Sequence, residues 1–259
     1  MMKKWLSNRA RGTVIIVHGA GEHHERYQWL IQYLNSQNLH VVSGDLPGHG
    51  RTRGRRGHID HFDDYIETVY EWYKEAVSYQ LPVFLFGHSM GGLISIRALM
   101  EKYLPMNGVV LSSPCLGLYE YPNKVLDVLS RATHRLLPSW SVDTGITAEK
   151  ITRNKEIRRL YEQDELIVHQ VTARWYQELL KAMKKVMLET ERFPDVPLLL
   201  MQAGEDYIVD KEATHRWFNR LMIHDRSLKE WKGLYHELLS EPEREEVFRF
   251  MMNFIHQRL

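Results

Sequence analysis

The segment Leu81-Pro-Val-Phe-Leu-Phe-Gly-His-Ser-Met-Gly-Gly-Leu-Ile-Ser-Ile96 constrains this chain more than any other. Residues 83–86 form a short apolar run that reads as a buried strand, and residues 93–100 are spaced like a helix. Between them lies a Gly-x-Ser-x-Gly pentapeptide, Gly87 to Gly91. A serine on so sharp a strand-to-helix turn is forced into a strained backbone conformation, and its neighbours must be small for the turn to close. The turn pushes the Ser89 hydroxyl out at the end of a sheet above a helix N-terminus, a geometry that suits a nucleophile and the anion it creates.

The rest of the chain supplies a sheet for that turn. Strand signals occur at residues 13–17, 39–43, 83–86, 108–112, 197–203 and 226–231, with helical patterns at 26–37, 62–79 and 243–256. Strands alternating with helices predict a mostly parallel, doubly wound sheet covered on both faces. The rhythm breaks between Cys115 and about Pro194, where no strand is evident. This stretch carries amphipathic patterns instead: Val125, Leu126, Val128, Leu129, Ala132 and Leu136, then Trp175, Leu179, Ala182, Met183 and Val186. It is too long for a loop. The expected organisation is a core of residues 1–114 and 195–259 with a helical cap, 115–194, inserted after the fourth predicted strand. Ordinary surface helices are the alternative for that stretch.

Composition excludes several classes. The 259 residues are 44% hydrophobic and 26% charged, with a net charge of +1, so there is no bulk drive toward nucleic acid. One cysteine, Cys115, allows no internal disulfide, which suits a reducing compartment. Met1-Met-Lys-Lys-Trp-Leu-Ser7 lacks the apolar core of a signal peptide, and no apolar run approaches the ~20 residues of a bilayer span. The expected location is the cytoplasm, with transient contact to the inner membrane surface.

A serine hydroxyl needs a base held by a third group. Asp206 leaves the strand at 197–203 and His236 follows the strand at 226–231, in the order Ser, Asp, His. Glu205 and Asp210 are rivals for the acid; His88 sits beside the serine rather than opposite it and is expected to pack. The oxyanion of a tetrahedral intermediate needs N–H donors, and the candidates are those of Met90, after the nucleophile, and Ala20, in His18-Gly-Ala-Gly21. A plain tight turn is the other reading of His18-Gly19. His23 and His24 either line the pocket or lie exposed.

Taken as a set, His18-Gly-Ala-Gly-Glu-His23, Gly44-Asp-Leu-Pro-Gly-His-Gly50, Gly54-x-x-Gly-His58, Gly87-His-Ser-Met-Gly-Gly92, Leu111-Ser-Ser-Pro114, Ala203-Gly-Glu-Asp-Tyr-Ile-Val-Asp210 and Gly233-Leu-Tyr-His-Glu237 resemble the monoacylglycerol lipase and lysophospholipase branch of the α/β-hydrolases, notably its bacterial phospholipase-like members. The matches run over nearly the whole chain outside the cap. The resemblance implies a serine hydrolase cleaving carboxylic esters of single-chain lipids without metal or cofactor. It implies Ser89 as nucleophile, Asp206 as acid, His236 as base, and Ala20 and Met90 as oxyanion donors. It also implies a cap that shapes an acyl tunnel and helps dock on lipid. With about a dozen residues before Thr13, the N-terminal hairpin common in this fold is expected to be reduced or absent.

Leu136-Leu-Pro-Ser-Trp140 and Trp175-Tyr176 fit either the rim of such a tunnel or packing of the cap on its body. Arg51, Arg53, Arg55 and Arg56 could meet a phosphate headgroup; a solvated loop, or pairing with acids such as Asp60 and Asp63, is the expected reading. Rival functions are peptide cleavage, with Glu22 or Glu162 holding a substrate amine, general ester hydrolysis, and a non-catalytic binding module on the same fold.

Overall fold

The computed structural model describes residues 2–121 and 141–259. The helical pattern read over 125–136 and the 136–140 stretch lie outside them.

A seven-stranded sheet forms from β1 (Met2–Trp5), β2 (Gly12–Val17), β3 (Leu39–Gly44), β4 (Val83–His88), β5 (Gly108–Ser112), β8 (Leu198–Ala203) and β9 (Arg226–Trp231), in the order β1-β3-β2-β4-β5-β8-β9. All neighbours are parallel except β1, which pairs antiparallel with β3, Met2 opposite Gly44. The central strands β2, β4, β5 and β8 are buried at every residue, as strands covered on both faces must be. The edge strand β9, Arg-Ser-Leu-Lys-Glu-Trp, is largely charged and polar, which discourages pairing with another sheet.

Side chains alternate between two cores. Ile15, Val17, Leu85, Val109 and Leu200 face one, with α2 (Asp63–Ser78), α3 (Met90–Glu101), α6 (Ala173–Leu188) and α7 (Lys211–Arg220). Val14, Ile16, Phe84, Phe86 and Leu199 face the other, with α1 (Gln28–Ser36) and α8 (Arg244–His256). The chain steps from β2 to β3 on one side and returns to β4 on the other, so the strand order reverses between β2 and β4. In open α/β sheets the crevice at the carboxyl ends of such strands is where ligands bind.

The N-terminal antiparallel element is present in the reduced form expected, as the single strand β1, whose residues are half-buried or exposed and carry no long apolar run. One sequence expectation needs revision. The stretch between β5 and β8 is not free of strands: β6 (Ser141–Asp143) and β7 (Gln170–Thr172) form an antiparallel ribbon, each too short to leave a periodic signal. The remaining described helices there are α4 (Ala148–Ile151) and α5 (Lys155–Gln163). Helix α6 packs down onto the body: the buried Trp175 indole donates to Tyr65 Oη at 2.8 Å, and Lys185 pairs with Glu101 at 2.8 Å. Trp175 is therefore a packing residue.

Segments between β6 and α6 are fastened to body loops. Val168 N–H donates to Gly21 O and Thr172 N–H to Gly57 O, both at 2.8 Å. The Arg56 guanidinium donates to the carbonyls of Glu165 and Ile167, Arg55 to Ser141 Oγ, and Arg51 pairs with Glu25. Asp60 instead faces His58, and Asp63 faces Arg97. The basic loop thus works as a clasp rather than through the pairs expected from sequence. Among the described residues, no helix is long and apolar enough to cross a membrane.

Candidate active site

The serine turn is strained as its sequence requires. Ser89 has φ 53° and ψ −120°, a region L-residues avoid, held by its N–H to Ser112 O at 2.9 Å and by its own carbonyl, which accepts from Gly92 and Cys115. A Cβ on Gly91 would lie 2.1 Å from the Val17 carbonyl oxygen, and one on Gly87 would lie 2.7 Å from that of Gly91, so neither position accepts a larger residue. Met90 is the first residue of α3, and its N–H points out of the helix N-terminus.

Asp206 and His236 come together at the ends of β8 and β9. His236 Nδ1 lies 2.9 Å from Asp206 Oδ2 and 3.0 Å from Oδ1, both side chains buried. Asp206 is itself fixed: Oδ1 accepts the N–H groups of Ile208 and Val209 at 3.0 and 2.9 Å, and Oδ2 accepts Gln202 Nε2 at 3.1 Å. Burial opposes the aspartate charge, but the His236 ring and these donors outweigh it, so its carboxyl titrates below the ordinary range. Burial likewise opposes a charged His236, yet Asp206 prevails and raises its pKa.

The rivals have other employment. Asp210 caps α7 by accepting Glu212 N–H at 3.0 Å and pairs with Arg216; Glu205 is exposed. His88 lies between, its Nδ1 3.1 Å from Ser112 O and its ring centroid 4.8 Å from that of His236, so it packs behind the base. A Cβ on Gly19 would lie 3.2 Å from Ser89 Cβ, which places the loop after β2 directly against the serine. The structure therefore gathers Ser89, His236, Asp206 and the Ala20 loop at one sheet edge. A Ser89–His236 hydrogen bond is not among those made by the described residues.

Several partnerships within the site left little trace in sequence. Glu22 Oε1 accepts Gly19 N–H at 2.5 Å and Tyr27 Oη at 2.6 Å; its Oε2 accepts Arg26 Nε at 3.2 Å. Burial raises the Glu22 pKa, but His88 and Arg26 overcome it and bring it to about 2. Arg26 also donates to both oxygens of Glu237, at 2.8 and 2.7 Å, and lies 5.0 Å from the Tyr161 ring. Only the four-residue spacing of Glu22 and Arg26 hints at this. His18 Nε2 accepts Leu46 N–H at 2.9 Å, so its proton sits on Nδ1, facing Gly19 O. His23 and His24 are buried and paired, with Asp164 at 2.7 Å and Asp45 at 2.6 Å.

Beside His88 lies a small, open cleft. Its walls include Glu22, Arg26, His88 and Glu237 on the polar side and Trp29 and Leu239 on the apolar side.

The chain is similar to known proteins along nearly its whole length. The chain is 46% identical over 257 residues to a protein named phospholipase YtpA from Bacillus subtilis, covering 99% of each. It is 32% identical over 244 residues to a rat protein named monoglyceride lipase, covering 91% of this chain and 78% of that one. The solved structure of Paleococcus ferrophilus monoacylglycerol lipase superposes with a TM-score of 0.91 at 30% identity, covering 100% of this chain and 99% of the other. The sheet, its reversal and the serine turn are those of an α/β-hydrolase. A family model described as serine aminopeptidase, S33 matches residues 8–243, and the chain belongs to that family.

Proposed function

We propose that this protein is a serine hydrolase that cleaves the carboxylic ester of a single-chain lipid, a lysophospholipid or monoacylglycerol, through an acyl-enzyme. The observation that carries the reading is the His236–Asp206 pair, buried and held by backbone donors, beside a strained serine at the N-terminus of α3. In this mechanism His236 takes the proton of Ser89 Oγ as that oxygen attacks the acyl carbonyl. The N–H groups of Ala20 and Met90 hold the oxyanion; neither makes a hydrogen bond to an acceptor among the described residues. His236 then protonates the departing alcohol oxygen, and the C–O bond breaks. Water, deprotonated by the same ring, attacks the acyl-enzyme, and the fatty acid leaves as Ser89 regains its proton.

Asp206 keeps the His236 proton on Nδ1, so that Nε2 is the basic nitrogen, and stabilises the imidazolium. Residues 115–194 serve in this reading as the cap that receives the acyl chain. The names of the Bacillus, rat and Paleococcus proteins support a lipid ester as substrate. Peptide cleavage fits less well. Both Glu22 oxygens are already engaged by Gly19, Tyr27 and Arg26, and Glu162 is exposed, so neither is offered to a substrate amine.

The test is fatty-acid release by the purified protein from lysophosphatidylcholine, lysophosphatidylglycerol, monoacylglycerol and diacyl phospholipid, with Ser89→Ala as the blank. Release from the single-chain lipids that vanishes in Ser89→Ala is expected. Release that persists in Ser89→Ala, or cleavage of aminoacyl arylamides ahead of acyl esters, overturns the assignment.

A further inference from the structure

Glu237 follows His236 directly and is buried, yet the mechanism above does not use it. Its carboxylate takes both contacts from one nitrogen of Arg26, Nη2, at 2.8 and 2.7 Å. Its backbone N–H donates to Ile151 O at 2.8 Å, at the end of α4. Arg26 in turn holds Glu22, whose other oxygen takes the N–H of Gly19, the residue before Ala20. The Tyr161 ring of α5 covers the guanidinium. One cation thus touches the turn that carries His236, the loop that carries Ala20, and the helix packed over both.

The charge count around it is unusual for a purely structural tie. One guanidinium would satisfy one carboxylate, and each further buried charge is costly to desolvate. Here Arg26 faces two carboxylates, leaving an excess negative charge buried near the His236 and His88 rings. An imidazolium formed at His236 during turnover is stabilised by that excess, and a fixed separation of His236 from Ala20 is what a reaction needs from its base and its oxyanion donor.

We propose that Glu237 is a positioning residue for the candidate base: through Arg26, and beneath Tyr161, it locks the turn bearing His236 to the loop bearing Ala20. This inference rests on the reading of His236 as the base. The groups that face His236 are Asp206 from the loop after β8, Glu22 from the loop after β2, His88 at the end of β4, and Glu237 itself. Asp206 and the two glutamates favour the imidazolium, while burial lowers the pKa of His88 itself.

The experiment compares Glu237→Gln, Glu237→Asp and Tyr161→Leu with the parent protein. Readouts are kcat and KM on a short-chain p-nitrophenyl ester across the acid limb, the rate of fluorophosphonate labelling of Ser89, and the melting temperature. Glu237→Gln keeps the shape but removes the charge. It is expected to lower kcat about ten- to a hundredfold with little change in KM, as slight misplacement of a reacting group does. It is also expected to slow labelling and to move the acid limb to lower pH, because a negative neighbour of the base has been lost. Glu237→Asp should recover part of the rate, and Tyr161→Leu should lower kcat while leaving the acid limb in place. Glu237→Gln kinetics indistinguishable from the parent, or a loss of kcat that tracks a lower melting temperature with the acid limb unmoved, overturns the inference alone. A parent protein without Ser89-dependent hydrolysis overturns the proposed function and this inference with it.

Discussion

Replacing Asp206 by Asn tests the site most sharply, because the structure dictates where each atom of the amide must go. The position of Oδ1 is held by two backbone N–H donors, at 3.0 and 2.9 Å, so the amide oxygen stays there. The NH2 then falls at the position of Oδ2, facing His236 Nδ1 and Gln202 Nε2, both donors in the parent protein. Gln202 can rotate its amide, since its Oε1 is buried without a partner and would accept the new N–H. His236 escapes the clash by moving its proton to Nε2, which disables it as a base toward Ser89. The lost charge matters as well. With N···O distances of 2.9 and 3.0 Å, the charges are about 4 Å apart, worth ~4 kcal/mol at an effective dielectric constant of ~20. That alone is about a thousandfold in rate, and the wrong tautomer brings the expected loss in kcat to about 10⁴-fold. The assay is steady-state hydrolysis of a soluble acyl ester, with circular dichroism to show that the fold is retained. A second signature concerns stability. The Asp206 pKa is depressed in the fold, so its contribution is present above the unfolded carboxylate pKa and is lost as pH falls through the lower, folded value. The destabilisation by Asp206→Asn should therefore shrink on acidification. An Asp206→Asn protein within tenfold of the parent, alongside a crippled Asp210→Asn, would refute the reasoning.

Other substitutions probe the frame. Ser89→Gly should abolish activity yet raise stability by about 1 kcal/mol, the strain at φ 53° less the entropy glycine adds to the unfolded chain; a lower chemical-denaturation midpoint counts against a strained turn. Gly91→Ala should cost about 3 kcal/mol or more, because its Cβ would lie 2.1 Å from Val17 O and 2.5 Å from His18 O, both backbone atoms that cannot step aside; expression of a normally stable Gly91→Ala protein would contradict this. Burial lowers the His49 pKa from 6.5 to about 3, so the unfolded chain binds a proton that the fold excludes. Stability should consequently fall between pH 6.5 and 3, by up to about 1.4 kcal/mol per pH unit from this group, whereas the contribution of His236, whose pKa is raised, is complete below 6.5 and is lost only as pH rises above it. His49→Gln should flatten that slope in pH-dependent urea titrations, and an unchanged slope would remove His49 from the account.

The fold was largely legible because its central strands are buried on both faces and must be continuous apolar runs; residues 13–17, 83–86 and 197–203 announce themselves that way. Strands that escape this rule carry no such run. β1 is half-buried, and β6 and β7 have three residues each. The candidate serine, acid and base could be proposed because each follows a strand, and strand ends are readable. The choice of Asp206 over Asp210 fits the geometry, in which Asp210 is spent capping α7.

Sequence alone determined that a serine would stand on a strained turn between a buried strand and a helix, since local sterics allow Gly87-His-Ser-Met-Gly91 little else. It also determined the parallel sheet, because burial on both faces writes itself into each strand separately. Tertiary structure decided what depends on pairs far apart in the chain. The arginine loop became a clasp on residues 165–167, Trp175 a packing residue on Tyr65, and Glu22 the partner of an arginine shared with Glu237, 211 residues beyond that arginine. A charged side chain carries no local mark of the charge it will meet, so such partnerships exist only once the sheet has brought the loops together.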